Sequence, residues 1–222
     1  MIMIVQTYGA MLIRALGQTL LLTLLSLFFA MIIGMIFGLM NVGHNRFLNL
    51  IGTIYVDAVR GVPLIVLAYF IYFGFPILMQ NIGFKEFRLE ALQAGTIALS
   101  MNCGAYMAEI IRAGIESVDR GQMEAGRSLG LSYGAGMALI VVPQAVRTMI
   151  PSIINQFIIT LKDTSILSVI GFPEITNVGK TIMGNTFKPL HAWAVIGIMY
   201  MIVIVTLSKI AKQIERRTSR GR

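Results

Sequence analysis

Residues 13–40 read IRALGQTLLLTLLSLFFAMIIGMIFGLM. Past Arg14 this block of 28 residues holds no charged side chain. A helix needs roughly 20 mostly apolar residues to cross the hydrocarbon core of a bilayer. The block exceeds that length, so a helix here extends past the membrane or tilts within it.

Outward from this block, further apolar stretches follow at about 54–79, 89–115, 137–170 and 190–212. Pro143 and Pro151 interrupt the fourth of these. The expectation is an all-α membrane protein of about five transmembrane helices, forming one domain over residues 1–222. Composition agrees: 56% of residues are hydrophobic and 13% charged, against about 25% charged in a soluble domain. The opening residues MIMIVQTYGA have no basic segment and no small-x-small cleavage pattern, so the first span is expected to act as its own insertion signal.

The formal net charge is +8. Much of it lies in Lys209, Lys212, Arg216, Arg217, Arg220 and Arg222, opposed only by Glu215. No aromatic residue interleaves with these cations, which argues against nucleic acid as a partner. A basic cluster just after an apolar span reads instead as a cytoplasmic flank near anionic lipid. With five spans the C-terminus is then inside and the N-terminus outside. Residues 44–46 and 116–133 face the cytoplasm, and residues 80–88 and 171–191 the exterior. Lys85, Arg88, Lys180 and Lys188 fall in the outer loops, so the assignment leans on the tail.

No catalytic constellation is present. His44, His191 and Cys103 are too few and too scattered for a metal site. A single cysteine excludes an intrachain disulfide. Gly179–Lys180–Thr181 resembles the end of a phosphate-binding loop, but the required glycine five positions earlier is Glu174. The chain is therefore expected to be no enzyme, to hold no cofactor, and not to bind ATP by this device.

The informative residues are polar groups inside apolar stretches, which are costly there and usually face a cavity or a partner. Asn102, Tyr106 and Glu109 are spaced i, i+4, i+7 and share one helix face. Gly95, Ala98, Gly104 and Ala105 allow close helix approach nearby. Glu109 either accepts a cationic group in a cavity or pairs with Arg112 one turn on. Lys162–Asp163–Thr164–Ser165 breaks an apolar run. It offers complements to both the ammonium and the carboxylate of an amino acid, or else forms an interfacial turn. Asp57 and Arg60, one turn apart beside Gly61 and Pro63, are expected to pair at a helix start. Gly34 and Gly38 permit close packing of the first span.

The cytoplasmic stretch carries a more specific pattern. Glu124–Ala125–Gly126, then Gly130, then Ile140–Val141–Val142–Pro143 resembles the EAA loop of binding-protein-dependent ABC importer permeases. Gly126 stands for the second alanine of that pattern and Val142 for its leucine. Arg60–Gly61–Val62–Pro63, Asn102-x-Gly104–Ala105–Tyr106-x-Ala108–Glu109 and Lys162–Asp163–Thr164–Ser165 are similar to motifs of the polar amino acid permeases. The resemblance spans almost the whole chain.

It implies the transmembrane-domain fold of a type I ABC importer in the bacterial inner membrane. It implies a partner permease, identical or paralogous, and an ABC ATPase dimer that binds the ATP and docks on a coupling loop at residues 116–135. It also implies an extracytoplasmic amino acid-binding protein. Glu124, Ala125, Gly126, Gly130 and Pro143 would form the coupling element. Asn102, Glu109, Asp163 and Ser165, with Lys162 beside them, would contact the substrate. Basic, amide and acidic amino acids and cystine stay open. A stand-alone secondary carrier or channel is the alternative, though the paired inverted repeats common in such carriers are not visible.

Overall fold

The computed structural model describes residues 1–43 and 45–219, with side chains described to residue 213 except at position 44. His44 and the side chains of Glu215, Arg216, Arg217, Arg220 and Arg222 lie outside the described residues, so the charge that fixes the expected C-terminal side is only partly within them.

Helix α1 runs from Ile2 to Val42. At 1.5 Å per residue its 41 residues span roughly 60 Å, about twice a hydrocarbon core. The expected span 54–79 is not one helix. Helix α2, Arg46–Gly61, starts where Asn45 Oδ1 accepts from the backbone N–H of Phe47 at 2.9 Å, and helix α3 covers Leu64–Asn81. Between them Val62 is extended (φ −103°, ψ 129°). The ring of Pro63 disfavours helical backbone at the residue before it, and this separates the two helices.

Helix α4 is Ala91–Glu116, α5 is Arg120–Ser128 and α6 is Tyr133–Ile170, while α7 is Ile175–Thr186 and α8 is Pro189–Ser219. Among the described residues four helices are long and apolar enough to cross a membrane: α1, α3, α6 and the first 25 residues of α8. Helix α4, at the expected third span, falls short on apolarity. It is the central helix, with half of its residues buried by protein. A helix shielded from lipid by its neighbours is free to carry polar groups.

Two wide π-type turns interrupt the helices, at Phe70–Gly74 in α3 and Met137–Val141 in α6. Each ends two residues before a proline, Pro76 and Pro143. A proline ring clashes with the carbonyl four residues back, here Tyr72 and Leu139. Both carbonyls lie within the wide turns, which re-route them.

The main seam joins α1 to α4. Leu22 meets Gly95, Ile33 meets Gly104, and Gly38 meets Ile111. The paired numbers rise together, so the two helices run parallel, and the chain returns between them through α2 and α3. A Cβ on Gly38 would lie 2.9 Å from Cβ of Ile111, and one on Gly104 2.6 Å from Cγ2 of Ile33. Only glycine allows this approach. Gly34 and Gly38 thus serve packing within the chain. A second core at the other end of α1 gathers Ile4 and Leu12 with Ile175 and Ile182 of α7 and Val195 of α8.

Candidate cavities and the α5 elbow

The break at Val62–Pro63 opens space between α2, α4 and α6. A cavity of about 530 Å³ lies there, lined by Arg60, Asn102, Tyr106, Gln156, Ile159 and Asp163, with the Gly61–Leu64 backbone turn. Asn102 and Gln156 are buried, and Tyr106 is half-exposed toward the space. Asp163 ends the α-helical part of α6, where the chain tightens into a 3₁₀ turn over Thr164–Ile170. One wall is therefore cationic and another anionic, with amide groups between.

The sequence motifs are only partly drawn together. Asn102 and Asp163 share this cavity. Lys162 is exposed and Ser165 half-buried, and neither lines it. Glu109 lines an adjoining cavity of about 360 Å³, with Asn41, Asp57, Arg60, Arg112 and Glu116 among its walls. Arg60 belongs to both. Its guanidinium lies 5.2 Å from the ring centre of Tyr106, a cation–π contact, and 3.8 Å from Glu109 Oε2.

Glu109 is held mainly by Arg112, which donates from Nε at 3.2 Å and from Nη2, and reaches Glu116 through Nη1. The ion pair of Glu109 with Arg112 is thus formed, at the edge of a cavity. The expected pair of Asp57 with Arg60 is not: among the described residues Asp57 makes no ion pair, and Arg60 turns to Glu109 and Tyr106 instead. Both residues end α2 rather than start a helix. Arg60 is the residue that the sequence reading left without a cavity role. Its signal was the following Gly-Val-Pro, a forced helix break beside a charge.

The second feature is the elbow between α4 and α6. Asp119 Oδ1 accepts from the N–H of Gly121 at 2.7 Å and starts α5. Gly130 ends it in the left-handed region (φ 88°). The N–H of Leu131 donates to Gly126 C=O at 3.1 Å and that of Gly130 to Arg127 C=O at 3.0 Å, a Schellman termination that favours glycine at position 130. Glu124 and Ala125 point outward, Leu129 is 85% exposed, and Gly126 is buried against Ile140. Gln144 Nε2 donates to Gln122 Oε1 at 3.4 Å, tying α5 to the helix that carries Pro143.

Residues 30–220 match the family described as binding-protein-dependent transport system inner membrane component. The chain belongs to this family. Among its relatives, the glutamine transport system permease protein GlnP of Escherichia coli (strain K12) is 34% identical over 207 residues, covering 93% of this chain and 92% of that protein. The arginine transport system permease protein ArtQ of Bacillus subtilis (strain 168) is 32% identical over 205 residues, with 92% and 91% coverage. A crystal structure of an amino acid ABC transporter with histidines aligns at TM-score 0.87 and 36% identity over 95% of each chain. Inward-facing MetNI methionine ABC transporter aligns at TM-score 0.81 and 19% identity, a likeness of fold alone.

The fold of this family member is accordingly that of a type I ABC importer transmembrane domain, and its place is the inner membrane. The Gly-Lys-Thr triplet of this permease lies within α7, where Lys180 Nζ donates to Ser168 Oγ at 2.9 Å. Glu174 caps the same helix from a fully buried position. It accepts from the N–H of Asn177 at 2.6 Å, the N–H of Thr176 at 2.7 Å and the Tyr200 hydroxyl at 2.7 Å. No sequence pattern announced this cluster, because its partners are mostly backbone groups.

Proposed function

We propose that this permease carries a polar amino acid through the cavity between α2, α4 and α6, driven by an ATPase that grips α5. One observation carries the reading: Arg60 and Asp163 line a single cavity together with the amides of Asn102 and Gln156. A zwitterion needs a cationic partner for its carboxylate, an anionic partner for its ammonium, and polar groups for its side chain. The relatives named as glutamine and arginine systems suit that chemistry.

In this reading the N-terminus faces the exterior and the C-terminus the cytoplasm. The chain pairs with an identical or paralogous permease, an outer binding protein delivers the amino acid, and ATP is bound by the partner ATPase. Exposed Glu124, Ala125 and Leu129 form the handle. The Gly126–Ile140 contact and the bond between Gln122 and Gln144 pass its movement to α6. A rigid exposed element thereby biases a two-state bundle.

The test is uptake of labelled arginine and glutamine into liposomes holding the complete importer, with binding protein outside and ATP inside. ATP-dependent uptake abolished by Glu124→Lys, in a complex that still assembles, supports the reading. Uptake by this chain alone without ATP would sink it in favour of a secondary carrier.

A further inference from the structure

Beside the proposed amino acid cavity lies the smaller polar one, and the two share Arg60. We propose that the smaller cavity is a second, inner binding station for the same cargo, holding its ammonium on Asp57 after it passes Arg60. The inference rests on the amino acid reading above and adds a station that reading does not require.

The walls are built for a ligand rather than for packing. Asp57 lines the space and is, among the described residues, unpaired, whereas Glu109 and Glu116 are both engaged by Arg112. A free carboxylate in a cavity is a place for a cation. Asn41 is 8% exposed and also lines the space, but its Oδ1 is closed off from it and turned onto Gly52. Gly52, buried on the next helix, leaves room for that oxygen: a Cβ there would collide with it. Asn49 and Thr53 complete a polar lining.

Arg60 supplies the passage. Its contact with Glu109 is long, at 3.8 Å, while Arg112 holds that carboxylate with two bonds. Glu109 thus keeps a counter-ion when Arg60 turns away. Arg60 is free to stay with the carboxylate of the cargo while its ammonium leaves Asp163 for Asp57. No bond is made or broken; the cargo exchanges one carboxylate partner for another, and the cation of the protein moves with it.

The experiment measures equilibrium binding of tritiated arginine and tritiated glutamine to the complete importer in lipid nanodiscs, without binding protein. The expected result is two classes of site per copy of this chain for at least one of the two amino acids, their affinities about tenfold apart. Asp57→Asn removes the weaker class and leaves the tighter one, Asp57→Glu restores it, and Asp163→Asn weakens the tighter class. A single class, or two classes that Asp57→Asn leaves unchanged, overturns the inner station and leaves the amino acid reading intact. If neither probe binds at all, the inner station falls, and with it arginine and glutamine as the cargo. Asp57 is exposed near the end of α2 and, among the described residues, makes no ion pair, so its replacement by asparagine leaves the fold in place; size-exclusion elution of the complex checks this.

Discussion

The Cδ1 atom of Ile140 occupies the space that a Cβ on Gly126 would need, 2.5 Å from it. The glycine that stands in α5 in place of the pattern's second alanine is thus matched by a bulky isoleucine on α6. Gly126→Val is expected to push α5 away from α6, costing about 1–3 kcal/mol in overpacking. ATPase stimulation by loaded binding protein should fall severalfold. The double variant Gly126→Val with Ile140→Ala should recover most of it; no recovery would show that the contact does not couple the two helices.

Gly130 ends the elbow helix at φ 88°. An L side chain there is strained, so Gly130→Ala is expected to cost about 1–2 kcal/mol. Thermal unfolding of the detergent-solubilised complex should show a lower Tm. Gly130→Asn should lose less, since asparagine tolerates this backbone better. Equal losses would argue that position 130 is limited by space and not by conformation.

Asp163→Ala and Glu109→Ala separate two kinds of carboxylate. Asp163 lines the larger cavity, and its loss should weaken substrate-stimulated ATP hydrolysis about tenfold or more, at unchanged expression. Glu109 is the counter-ion of Arg112 and Arg60. Its loss leaves Arg60 without its ion pair and Arg112 with Glu116 alone, so both stability and stimulation should drop. A Glu109→Ala protein of normal stability would show that the ion-pair chain is dispensable.

Burial pushes the Glu174 carboxyl above its ordinary value of 4.5, against the opposing pull of the Thr176 and Asn177 N–H groups and the Tyr200 hydroxyl. A group whose pKa is raised on folding binds its proton more tightly in the native state. Its favourable contribution is complete below the unfolded value and is lost as pH climbs from about 4.5 through the raised folded value. The Tm of the wild type should therefore decline over that window more than that of Glu174→Gln, which keeps a carbonyl acceptor but does not ionise. Parallel pH profiles would mean that other groups set the slope.

Much of the architecture was legible because it rests on local rules. The 28-residue apolar block could only be a bilayer helix, and Glu124 to Pro143 fell in the register of a known loop. Gly34 and Gly38 were readable as a packing surface, though not their partners Met107 and Ile111, which sit some 70 positions away. The expected span 54–79 begins only at Leu64, because at Val62–Pro63 a single ring outweighs the hydropathy of its neighbours. The polar tetrad at 162–165 looked like one site. A helix that tightens at Thr164 sends Asp163 into the cavity and leaves Lys162 and Ser165 elsewhere. Asp57 and Arg60 illustrate the remaining limit: spacing allows a pair, but the competition from Tyr106 and Glu109 exists only in three dimensions.

The parallel glycine seam decides which parts of the molecule are able to change shape. Met107, Ala108 and Ile111 are locked so closely into α1 at Gly34 and Gly38 that the two helices have no room to slide or roll. They form a fixed mast. In the transport reading proposed above, widening and narrowing of the route past Arg60 then falls to α3 and α6, each with a π-type turn just before a proline. Those two turns are the expected pivots, and stiffening either one should slow turnover without touching any residue proposed to meet the cargo.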